Sequence, residues 1–198
     1  MMKKTILVPL LLPVLMAGTF SVYADDPVAP TPVSIDGGKI NFTGAVVASP
    51  CAVDNSSDGQ SVNLGQISTS LLASKGATGS SVPFTIKLIG CELSPQADAP
   101  EGTSNYTKAS IKFTGTTIDS TTLAVTATGA GQVPAKNVGI QISQANEAVT
   151  VDGSTNTASQ TIIANENEIP FTATYVATDA KVTAGQANGS VNFQVNYE

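Results

Sequence analysis

The side chains best suited to chemistry are Cys51, Cys91, 15 acidic residues and a large stock of Ser and Thr hydroxyls, while histidine is absent. Without His there is no Ser-His-Asp or Cys-His arrangement, and the commonest metal ligand is missing. A nucleophilic or metal-binding thiol therefore lacks the neighbours that would support it. No G-x-S-x-G elbow and no phosphate-binding loop occurs, and Gly37-Gly38-Lys39 reads as a turn before a strand. Glu166 and Glu168 read as part of an exposed acidic turn rather than a cation site. Carboxylates and hydroxyls without a positioned base make an enzyme the least supported class. No cofactor and no metal is expected.

What the two cysteines do depends on where the chain goes. Met1-Met2-Lys3-Lys4 precede an apolar run from Ile6 to about Phe20 and then Val22-Tyr23-Ala24. This is the charge, core and small-residue order of a secretory signal, predicted to span residues 1–24. Pro9 and Pro13 and the shortness of the run argue against a membrane span, which needs roughly 20 apolar residues. Removing residues 1–24 from 198 leaves 174, the size of one domain, with seven Lys, no Arg and 15 acidic residues, a net charge of −8. That balance argues against nucleic acid and against an anionic membrane surface as partners. Export into an oxidising compartment makes a Cys51–Cys91 disulfide the expected state. Its loop of about 40 residues would contribute roughly 4 kcal/mol in a chain-entropy account.

The elements that must position these residues are β-strands. Residues 25–33, DDPVAPTPV, hold three prolines and two acids and are expected to be an extended tail rather than a packed element. Beyond it, short Thr/Val-rich runs are separated by turn formers, and no helical period is sustained. Strands are predicted at 39–48, 61–65, 82–89, 109–115, 122–127, 137–143, 147–151, 160–164, 169–177 and 190–197, with a short helical turn near 68–73 capped by Ser68. The pattern fits an all-β antiparallel sandwich.

Two segments alternate cleanly. Ile40, Phe42, Gly44 and Val46 share one face near the N-terminus, and Val191, Phe193, Val195 and Tyr197 share one near the C-terminus. Pattern alone would place both in the core of a complete sandwich. The chain ends one residue after the second alternation, so nothing downstream is expected to cover a final strand.

GGKINFTGAVVASPCAV near the N-terminus, NLGQI at 63–67, FTIKLIGC at 84–91, NVGIQI at 137–142, IPFTATYVAT at 169–178 and SVNFQVNYE at the end occur in this order. A penultimate Tyr197 and a glycine fourteenth from the end, Gly185, join them. Over nearly all of residues 35–198 the chain resembles the type 1 fimbrial major pilins of the chaperone–usher family. Its longer, proline-rich tail before Ile35 departs from that pattern, so Val33 or Ile35 could also belong to the donor segment.

The resemblance implies an incomplete immunoglobulin-like sandwich lacking its last strand and completed by a donor strand. Residues 25–47 would be the N-terminal extension and 48–198 the pilin domain. A periplasmic pilus chaperone would first fill the groove, and at the outer-membrane usher the extension of the next subunit would replace it. This is strand addition, of which chaperone–pilin pairing is a known instance. Ile40, Phe42, Gly44 and Val46 would form the donor face. Gly185, Val191, Phe193, Val195 and Tyr197 would belong to the groove and chaperone-recognition strand. Partners would be copies of the chain itself, the chaperone, the usher and other pilins of the same fimbria, at the cell surface. The expected role is the major shaft subunit; the alternative is a minor or tip adaptor, or a single-domain adhesin contacting a host-cell receptor. The three apolar donor residues would bring roughly 5–9 kcal/mol of gross burial, before ordering costs. The N-x-Ser/Thr triplets at Asn41, Asn55, Asn105 and Asn188 read as chance in a Thr/Ser-rich bacterial chain.

Overall fold

The computed structural model describes residues 31–42, 44, 46, 48–54, 56, 59–95, 97 and 99–198. The predicted signal and most of the proline-rich tail lie outside them. The chain divides into two compact units, Met1–Gly44 and Ala45–Glu198. In the first, residues 31–42 and 44 belong to no strand.

The second unit is an all-β sandwich. Its strands are β1 (Ala52–Val53), β2 (Val82–Cys91), β3 (Lys108–Gly115), β4 (Thr117–Asp119), β5 (Thr122–Ala124), β6 (Val138–Gln144), β7 (Glu147–Ala148), β8 (Gln160–Thr161), β9 (Asn165–Ala177) and β10 (Val191–Tyr197). One sheet runs β1-β2-β9-β6-β5-β4 with β7 beside β6, and the other runs β10-β3-β8. Their inner faces meet where Phe113 of β3 packs edge-on against Phe171 of β9, ring centroids 5.2 Å apart, while Phe171 stacks on Phe84 of β2 at 5.6 Å. Ile86, Leu88, Ile111, Ile142 and Ile169 complete this core.

Proline is disfavoured inside sheets because it cannot donate to the ladder. Pro83 and Pro170 are tolerated because each stands where its strand is paired on one side only: β1 reaches only Leu88 and Ile89 of β2, and β6 reaches only 172–177 of β9. At the end of β2 the phase changes. Ile86 and Leu88 face inward, so strict alternation would turn Cys91 outward. Gly90, at φ 59°, inserts one extra residue, with Leu88 opposite Asn167 and Cys91 opposite Asn165, and Cys91 is buried. The bulge aims Cys91 at Cys51, and the disulfide forms with Cα atoms 4.1 Å apart.

Several sequence expectations are revised. Residues 61–65 lie in no strand, since among the described residues none pairs with them, and the stretch ends in a turn where Gly65, at φ 69°, donates its N–H to Asn63 Oδ1 at 2.9 Å. Of 147–151 only 147–148 is strand. Beyond it the chain crosses between sheets, Val149 N donating to Ile142 O in one sheet while Val151 O accepts from Gly115 N at the end of β3. β1 and β4 are too short to show a period. Glu166 and Glu168 lie in β9, not in a turn, and Glu168 pairs with Lys87 across the ladder at 2.9 Å. The turn predicted at 68–73 is a 3₁₀ turn, Thr69–Leu72, in which the Ser68 side chain accepts from Ser70 N and Leu72 is buried.

Candidate functional site: an open groove beside the last strand

β10 pairs with β3 along its whole length, Val191 opposite Gly115 through Tyr197 opposite Ala109. Among the described residues no strand pairs with its other edge. The consequence appears in the side chains. On the inner face of β3, Ala109, Ile111 and Phe113 are 0–1% exposed. Their register partners on β10, Tyr197, Val195 and Phe193, share that face of the same sheet yet are only half-buried. Two neighbouring strands with equally apolar faces differ in this way when one side of the outer strand lacks its cover.

The uncovered space is a cavity of about 320 Å³. Val191 and Phe193 line it together with Gln60, Val62 and Leu64. The floor is the core itself: Phe84, Ile86, Phe113, Ile140 and Ile142. At 61–65, where a strand was expected, Val62 and Leu64 instead line this cavity. The floor residues come from three strands far apart in the chain, so no local signal marks them as groove residues.

A second cavity of about 590 Å³ is floored by Leu72, Val138 and Tyr175 and rimmed by residues 65–67 and 182–188. Tyr175 Oη donates to Ala187 O at 3.1 Å, and burial raises its phenol above the ordinary range. Gly185 lies on this rim, ahead of β10 rather than within it. A Cβ there would stand 2.5 Å from Ala135 N, 2.6 Å from Pro134 C and 2.7 Å from Val133 O. Its smallness lets residues 183–188 run against 133–136, where Ala135 N donates to Gln186 O and Gln186 N to Val133 O.

At the other end of β10, Tyr197 Oη donates to Cys51 O at 3.4 Å, and its ring meets Tyr106 edge-on at 6.2 Å. Burial raises the Tyr197 phenol, against the opposing effect of hydrogen bonds with Ser49 and the Cys51 carbonyl. The disulfide thus braces the end of the strand. Asn167 Nδ2 donates to Cys91 Sγ at 3.3 Å.

The N-terminal face presents the opposite condition. Ile40, Phe42 and Val46 are 77%, 89% and 103% exposed, and a Cβ at Gly44 would meet nothing within 4 Å. Val33 and Ile35 are exposed as well. Among the described residues no cluster of three or more His, Cys, Asp or Glu could hold a metal ion.

A family model described as "Fimbrial protein" matches residues 40–198. The chain is 42% identical over 172 residues to an Escherichia coli "Type-1 fimbrial protein, A chain", covering 85% of this chain and 86% of that one. Among solved structures it is similar to the P pilus rod subunit PapA, with TM-score 0.61 and 26% identity over 76% of this chain and all of that chain. It is also similar to a subunit of a chaperone-usher pilus whose structure addresses rod uncoiling, with TM-score 0.63 and 28% identity over 86% of this chain and all of that one.

Proposed function

Because the chain belongs to the fimbrial protein family, and is a fimbrial subunit of the chaperone–usher type, we propose that it is the shaft subunit and polymerises by donor-strand exchange after capture by a periplasmic chaperone. Its place is the fimbrium at the cell surface. In the exchange, Ile40, Phe42, Gly44 and Val46 of one copy enter the cavity between β10 and residues 60–64 of the next. The observation that carries this reading is the contrast between fully buried β3 and half-buried β10 on one face of one sheet. An added strand would supply the ladder partner that β10 lacks and cover Val191, Phe193 and Val195 together. Main-chain hydrogen bonds would give affinity and alternate side chains would set register.

Gly44 gives the test. The space around it is open in the single chain, so Gly44→Arg leaves the domain intact while placing a long charged side chain on the face that enters the groove. The variant is expected to reach its chaperone and to form no SDS-resistant ladder. Ladders persisting at the wild-type level would refute the reading.

A further inference from the structure

The two ends of the domain Ala45–Glu198 carry opposite charge. At one end β6 begins and β9 finishes, and the loops there present Lys75, Lys136 and Lys181, all exposed. Gly76 N donates to Ala177 O at 2.8 Å and Thr178 N to Asn137 O at 3.0 Å, which ties the three lysine loops to one place. Asn137 Nδ2 donates to Ala180 O and Lys181 O, and Lys181 is held at φ 62°. The acid beside them is Asp179. At the other end β2 and β10 finish and β3 and β9 begin, and among the described residues the exposed charges are Glu92, Glu101, Glu166 and Glu198 against Lys108. Among the described residues the one ion pair within 4.0 Å is Lys87–Glu168, so none of the described carboxylates pairs with the three lysines.

The groove lies between these ends, with Val191 nearer the lysines and Tyr197 at the acidic end. The chain enters the domain at Cys51, bonded to Cys91, and therefore at the acidic end. Only residues 47–50 separate Val46 from Cys51, a reach of at most about 18 Å over five residue steps. A copy that lends residues 40–46 thus brings its own acidic end close to one mouth of its neighbour's groove. At the Tyr197 mouth it would meet a second acidic end; at the Val191 mouth it meets Lys75, Lys136 and Lys181. We propose that successive copies dock end to end, the acidic Glu92/Glu101/Glu166 end of one against the Lys75/Lys136/Lys181 end of the next. The partner is a second copy of this chain, and the inference rests on the strand-exchange reading. Opposite fields accelerate encounter and suppress the wrong orientation, and salt screens them.

The experiment follows assembly of the mature chain at about 0.01 M and about 1 M salt, where charges are felt over about 30 Å and about 3 Å. Lys75→Glu/Lys136→Glu/Lys181→Glu and Glu92→Lys/Glu101→Lys/Glu166→Lys are each expected to slow assembly about tenfold or more at low salt and to match wild type at high salt. A chain carrying both sets is expected to assemble with itself again and to be excluded from wild-type fibres. The lysine-to-glutamine set, which leaves no reversed charge to perturb folding, is expected to slow assembly in the same direction. Single-end variants assembling at the wild-type rate at low salt, or a doubly reversed chain without recovery, would overturn the docking. Gly44→Arg run alongside separates the two claims: if it polymerises, strand exchange itself fails, whereas if it alone fails to polymerise, only the end contact is refuted.

Discussion

Replacing Phe42 with Ala tests the donor face at its largest side chain. Phe42 is 89% exposed in the single chain, so nearly all of its area remains to be buried on exchange. Full burial of such a side chain is worth about 1.5–3 kcal/mol. The floor it would meet, Phe84, Ile86, Phe113 and Ile140, belongs to paired strands that cannot collapse into the vacancy. A residual cavity therefore adds to the loss, and Phe→Ala in packed surroundings costs about 3–5 kcal/mol. Taking about 3 kcal/mol at 1.4 kcal/mol per decade, affinity falls about a hundredfold. The acceptor is the mature Gly44→Arg chain, which is not expected to donate. The probe is a fluorescent peptide of residues 35–48, with and without Phe42→Ala, and the readout is anisotropy with dissociation rate. Asn41→Ala, on the opposite face, is expected to change affinity by less than about threefold, under about 0.7 kcal/mol. Equal losses from the two substitutions, or no loss from Phe42→Ala, would refute the facial assignment.

Phe193→Asp sets a carboxylate on the groove wall opposite Phe113, where burying an unpaired charge is disfavoured; the subunit's periplasmic level, read by immunoblot, should collapse, while Phe193→Ala lowers it less. Gly185→Ala would drive a Cβ to within 2.7 Å of three backbone atoms. A loss of about 2 kcal/mol, or roughly 4–8 °C in melting temperature, is expected by calorimetry. Cys51→Ser/Cys91→Ser opens a loop with a sequence separation of 40. About 4 kcal/mol, or roughly 8–16 °C, should disappear from the melt, and reduction of the wild-type chain should reproduce it.

Alternation at 190–197 was legible in the sequence and is present in β10, because a period of two follows from backbone geometry alone. The Ser68 cap was legible for the same local reason, a hydroxyl that reaches a nearby amide. So was the pairing of the only two cysteines in an exported chain. Local pattern could not tell that Gly90 would bulge so that Cys91 faces Cys51, since that depends on the register of β2 against β9. It overextended 147–151, where backbone bonds leave one sheet for the other, and it made a strand of 61–65, whose Val62 and Leu64 alternate without a ladder partner. Gly185 was singled out by its place in the chain, but only the packed fold reveals the backbone of 133–135 against it. Residue types and spacing determined which faces were apolar. The family resemblance already pointed to the last strand as the uncovered one, but what lines its groove was decided by tertiary structure, because Phe84, Ile86, Phe113, Ile140 and Ile142 are brought beside β10 from distant parts of the chain.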